Sequence, residues 1–149
     1  MLEGDRVERG LASDFRVPSD TVPGLAIVVD TLAITLAAAL PYVMLDRFSP
    51  ATVEHYVFCW AFVLGATILL LRHSRMYDID AVMRPLARSD MILVSVVSAF
   101  LFFLTIAFSL KVSEIYSRLW IYGFLGGAIM LTTGGRLLLA AGLGHLMRR

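Results

Sequence analysis

The sequence predicts an all-α polytopic membrane protein: a bundle of four transmembrane helices with both termini in the cytoplasm. Three observations predict it. The chain is 58% hydrophobic and only 17% charged, against ~45–50% apolar and ~25% charged in a typical soluble domain. Its apolar residues collect in four long runs, each close to the ~20 residues a helix needs to cross the hydrocarbon core. Lys and Arg, finally, are distributed unevenly among the segments that separate those runs. Backbone groups in hydrocarbon must be paired within the segment, and runs this long without alternation are not barrel strands, so the runs must be helices.

Residues 1–23 read as a polar cytoplasmic tail, with five acids and three arginines and no helical apolar stripe. Pro23-Gly24 punctuates the entry to the membrane domain, residues 24–147. The first span covers about 25–45 and contains Asp30 and Pro41. It is too long for a signal-peptide core and lacks a small-residue cleavage site, so it reads as a retained span. Asp46-Arg47 marks its exit, and Ser49-Pro50 reads as an N-cap with Pro at the first helical position. The second span, about 53–71, stops at Arg72-His73-Ser74-Arg75. In the following segment, Ile79, Val82, Met83 and Leu86 recur at helical spacing, which predicts a short amphipathic helix on the membrane surface, interrupted at Pro85. Ser89-Asp90 opens the third span, about 91–110. After a short polar break the fourth covers about 119–136, and the helix continues toward Met147.

Orientation follows from the basic residues. Arg6, Arg9, Arg16, Arg72, Arg75, Arg84, Arg88, Arg136, Arg148 and Arg149 fall on one side, against Arg47, Lys111 and Arg118 on the other. Positive residues favour the cytoplasmic side, so the termini and the Arg72–Asp90 segment are expected inside and the Lys111–Trp120 stretch outside. A net charge of +1 leaves no basic face for a nucleic acid. The single Cys59 can form no internal disulfide and has no metal-ligand neighbours. No HExxH, CxxC or phosphate-binding Gly loop occurs, and Asp78 and Asp80, a lone pair in a loop, read as a solvated face, so no catalytic residue and no cofactor are read from this chain.

Four features carry side-chain chemistry. Apart from Glu54 in the first turn of the second span, Asp30 is the only acid inside a span, and an intramembrane acid has two readings: a functional group, or a structural or interfacial residue favoured near a helix N-terminus. Counted from Leu25 it lies roughly 8 Å along the helix, within reach of the cytoplasmic interface. Gly123 and Gly127 form a GxxxG spacing, suited to close packing within the bundle or to a homo-oligomer interface. Tyr56, Trp60, Tyr116, Trp120 and Tyr122 gather near the outer helix ends, as an aromatic belt does. The break itself, Lys111-Val-Ser-Glu-Ile-Tyr-Ser-Arg-Leu-Trp120, has an anchoring reading: Lys111 at a helix C-terminus, and Glu114 four residues before Arg118, able to pair with it if the fourth helix starts early. Its alternative is contact with a lipid phosphate.

This pattern resembles the N-terminal membrane region of the polyprenyl-phosphate hexose-1-phosphate transferases, the bacterial sugar transferases that initiate exopolysaccharide assembly. Undecaprenyl-phosphate glucose phosphotransferase is the typical member. The resemblance rests on the early Asp30, on Lys111 followed by Ser117-Arg118-Leu119-Trp120 between the third and fourth spans, and on Arg136 closing the fourth. Arg75-Met76-Tyr77 echoes the family's Gly-Tyr-Arg after the second span. The resemblance implies a four-helix membrane domain in the bacterial inner membrane, with the bilayer and undecaprenyl phosphate as partners. It implies that the activity, transfer of a sugar 1-phosphate from a UDP-sugar with magnesium, belongs to a cytoplasmic catalytic domain outside these residues; the chain alone is expected to be inactive. The alternatives from other classes are a small proton-coupled four-helix transporter built on Asp30, and a stand-alone membrane scaffold protein.

Overall fold

A computed structural model describes residues 21–44 and 50–146 of the chain. Its α-helices are α1 (Thr21–Met44), α2 (Pro50–His73), α3 (Ile79–Met83), α4 (Ser89–Ser109) and α5 (Arg118–Leu146), with 3-10 turns at Pro85–Arg88 and Ser113–Ile115. No strand occurs among the described residues. Helices α1, α2, α4 and α5 are each long and apolar enough to cross a membrane, and the chain is a multi-pass membrane protein with an all-α four-helix bundle. The helices pack in the ring order α1–α5–α4–α2. The expected tail at 1–20, the Asp46-Arg47 exit, the Ser49 cap and the terminal Arg148-Arg149 lie outside the described residues.

Two boundaries differ from the sequence reading. Helix α1 starts at Thr21 rather than after Pro23-Gly24. Pro in the first helical turn gives up no hydrogen bond, because those N–H groups have no intrahelical acceptor, so Pro23 does not stop the helix. The segment after α2 is the second difference. Pro85 and the non-helical Arg84 (φ −127°, ψ 61°) do interrupt it. Yet the buried residues are Met76, Tyr77, Ala81 and Val82, while Leu86 is 68% exposed. Helix α3 therefore packs under the bundle against α1 and α5 rather than presenting its apolar face to a membrane surface.

Helices α1 and α5 run antiparallel in tight register. A Cβ on Gly123 would stand 3.0 Å from Pro41 Cγ, one on Gly127 3.2 Å from Ala37 Cβ, and one on Gly135 2.8 Å from Val29 Cγ1. The spacing in fours on α5 matches the spacing in fours on α1, so glycines of α5 admit Pro41, Ala37 and Val29 of α1 at close range. In lipid, association rests on such close van der Waals contact rather than on a hydrophobic drive. Gly123 and Gly127 are thus occupied within one chain. A side chain on Gly127 also meets the Ala37 backbone, its Cα at 3.4 Å. Gly127→Leu is expected to lower stability by roughly 1–3 kcal/mol in a denaturation series in micelles. The adjacent Gly126, with nothing within 4 Å of its Cβ position, should accept Leu without loss. Equal effects at the two sites would contradict this seam.

Two helix ends close on left-handed residues that are not glycine: Arg75 (φ 53°) after α2 and Lys111 (φ 56°) after α4. In both, the amide of the left-handed residue reaches back three residues and the next amide five: Arg75 N to Arg72 O and Met76 N to Leu71 O, Lys111 N to Phe108 O and Val112 N to Ala107 O. This is the Schellman arrangement, where Gly is favoured because the conformation costs other residues ~1 kcal/mol or more. Lys111→Gly is therefore expected to raise stability by about 0.5–1 kcal/mol, visible as an increase of a few degrees in Tm. A fall would mean that the Lys111 side chain makes a stabilising contact of its own.

Candidate functional site

Chemistry in this bundle is concentrated at its two ends. At the end that carries the α2–α3 connection, Asp30 and Arg136 form an ion pair with no exposed side-chain surface on either residue. Arg136 approaches in a fork: Nε donates to Asp30 Oδ1 at 3.0 Å and Nη2 to Oδ2 at 2.7 Å. Its Nη1 donates to the carbonyl of Met76 at 3.0 Å. Tyr77 Oη donates to Asp30 Oδ2 at 2.9 Å, and the guanidinium carbon lies 5.1 Å from the Tyr77 ring centroid. Burial, and then the Asp30 carboxylate, raise the Tyr77 phenol above its ordinary pKa, so it remains a donor.

The sequence positions explain the geometry. Because α1 begins at Thr21, Asp30 lies nine residues along it, about 13 Å, rather than 8 Å. Its side chain has no exposed surface, which agrees with the structural reading of Asp30: the Schellman turn at Arg75 folds Met76 and Tyr77 over it. Beyond Arg136 the helix continues to Leu146, in line with the sequence reading. The antiparallel register places Arg136 beside Asp30. With both carboxylate oxygens accepting hydrogen bonds, this arrangement locks α1, α5 and the α2–α3 connection together. Tyr77 and Met76 were not read as site residues from sequence; only the Arg75-Met76-Tyr77 echo pointed to them.

At the opposite end, the Lys111–Trp120 stretch is tied into the bundle by its aromatic residues. Trp120 is 2% exposed; its Nε1 donates to the Ala38 carbonyl at 3.1 Å. Tyr116 Oη donates to His55 O, and the Ser117 amide donates to Tyr56 Oη, both at 3.2 Å. The Tyr56 ring stands at the centre, edge-on to Tyr42, Tyr116 and Trp120 at centroid distances of 5.4, 5.8 and 4.7 Å. The aromatic-belt reading is corrected for Tyr56, Tyr116 and Trp120, which are buried. Trp60 is half-buried, its Nε1 donating to Thr35 Oγ1 at 3.2 Å, and Tyr122 is exposed.

Of the residues read as lipid contacts, Trp120 is thus a packing residue, Ser117 is half-buried, and Lys111 and Arg118 are exposed. The Glu114–Arg118 pair, which requires the fourth helix to start early, is not formed. Tyr116 is extended (ψ 132°), so Glu114 sits in a separate 3-10 turn and α5 begins only at Arg118; the two are not on one helix face. Among the described residues no group of His, Cys, Asp or Glu stands where it could hold a metal ion. Comparison with family models, with curated proteins and with solved structures finds no match to this chain.

Proposed function

We propose that this chain is the membrane-anchoring region of a sugar transferase of the polyprenyl-phosphate hexose-1-phosphate transferase type, placed in the bacterial inner membrane. The observation that carries the reading is the stretch Lys111…Ser117-Arg118-Leu119-Trp120 at the junction of the third and fourth membrane helices, together with Asp30 and Arg136. In the whole enzyme, a cytoplasmic catalytic domain would move hexose 1-phosphate from a UDP-sugar to undecaprenyl phosphate. Magnesium would act in that domain.

The polar groups support an anchor over a transporter. A proton-coupled carrier needs its acid to exchange protons and to meet substrate. Here Asp30 is enclosed, with both oxygens held by Arg136 and Tyr77. Such fully paired groups specify one packing of the helices.

The reading is tested by joining residues 1–149 to the catalytic part of a characterised undecaprenyl-phosphate glucose phosphotransferase that has lost its own membrane region. Membranes carrying the fusion are expected to transfer sugar 1-phosphate from UDP-glucose to undecaprenyl phosphate, and an unrelated four-helix anchor should support less. A fusion that inserts but performs no better than the unrelated anchor would remove the support for this family. Sugar-phosphate transfer by the 149-residue chain alone would contradict its role as an anchor. For topology, periplasmic reporters at positions 50 and 115 should be active and one at 80 silent.

A further inference from the structure

Between α4 and α5, beside the Lys111–Trp120 stretch, lies a cleft of about 630 Å³. Its two halves differ in chemistry. The mouth carries Glu114 and Arg118; the walls below are Leu104 and Phe108 from α4 and Ile121 from α5, with Tyr122 at the side. From Leu110 back to Leu104 helix α4 covers about 9 Å, so the apolar part reaches well into the depth of acyl chains. Glu114 and Arg118 are exposed and have no ion-pair partner among the described residues. Opposite charges thus flank one opening without neutralising each other, above an apolar slot that faces lipid.

That layout complements one class of molecule. A purely anionic headgroup would be drawn to Arg118 and repelled by Glu114, and a purely cationic one the reverse. A zwitterionic headgroup with phosphate and primary ammonium meets both, each through a charge-assisted hydrogen bond. A primary ammonium offers three N–H donors to a carboxylate; a trimethylated one offers none. We propose that this cleft binds an aminophospholipid of the phosphatidylethanolamine type. Its phosphate rests on the Arg118 guanidinium, its ammonium on the Glu114 carboxylate, and one acyl chain on Leu104, Phe108 and Ile121. The same cleft would serve a bundle with no transferase attached, so the site does not depend on the family reading.

The test is native mass spectrometry of the delipidated 149-residue protein, with phosphatidylethanolamine, phosphatidylcholine or phosphatidylglycerol of the same acyl chains added back. Wild type is expected to retain one phosphatidylethanolamine per chain, roughly tenfold or more over either of the others, the scale of one charge-assisted hydrogen bond. Arg118→Ala should reduce retention of phosphatidylethanolamine by a similar factor. Glu114→Gln should erase the preference over phosphatidylglycerol while leaving the thermal transition in place. Arg84→Ala, an exposed cation at the opposite end, should change nothing. Equal retention of the three lipids by wild type would overturn the proposal. So would unchanged selectivity in Glu114→Gln, or a preference for phosphatidylglycerol, which would indicate a simple anion site on Arg118.

Discussion

Replacing Asp30 by Leu is expected to destabilise the bundle by about 3–5 kcal/mol, the range for removing one partner of a buried ion pair. The reason is the group left behind. Arg136 would keep a charge it cannot discard, because guanidinium does not deprotonate in proteins, and would retain only the Met76 carbonyl as acceptor. The reverse substitution should be milder. In Arg136→Leu, the stranded carboxyl keeps the hydrogen bond that Tyr77 donates to it. Asp30→Leu combined with Arg136→Leu should recover much of the loss, since an apolar pair of similar bulk removes both desolvation costs. The measurement is a double-mutant cycle in micelles, with trypsin cleavage after Arg72 and Arg75 as a second readout. The Met76 and Tyr77 contacts hold that connection down, so the single Asp30 variant should be cut faster. A cycle with no coupling, or unchanged cleavage in Asp30→Leu, would mean that the pair does not join α1, α5 and this connection.

The ion pair also marks where sequence reasoning ran short. The four spans were legible, because apolar runs near the bilayer length admit only helices. So was the break at Pro85, which follows from a missing amide. Asp30 and Arg136 were each visible as polar residues within or beside spans. Their pairing was not, because 106 residues separate them and only the register of α1 against α5 brings them together. That register is written in the glycines of α5, Gly127 against Ala37 and Gly135 against Val29. A single-helix pattern shows such a stripe but does not say which helix it meets. The aromatic residues misled for a related reason. Composition near a helix end is the same for a tyrosine facing lipid and one facing a neighbouring helix; Tyr122 and Tyr56 are one of each.

That distinction can be measured at Trp120. Trp120→Ala is expected to cost about 2–4 kcal/mol, somewhat below the ~3–5 kcal/mol of an aromatic truncation in a soluble core. In a bilayer the unfolded reference keeps the side chain in lipid, so the transfer term largely drops out and the loss is packing and cavity. The packing is considerable: Trp120 stands 4.7 Å from the Tyr56 ring and 5.0 Å from that of Phe124. A further part is the indole hydrogen bond to Ala38 O. Trp120→Phe fills most of the volume but cannot donate, and should cost about 1 kcal/mol, the value of one hydrogen bond. An interfacial anchor would behave otherwise, losing little as Ala and sitting within reach of lipid. The chain has only two tryptophans, so Trp60→Phe isolates Trp120 for fluorescence. Its emission should be blue-shifted and insensitive to brominated lipids placed at any depth. Strong quenching by brominated acyl chains, with a mild Trp120→Ala, would return Trp120 to the membrane interface and separate the Lys111–Trp120 stretch from the packing of the bundle.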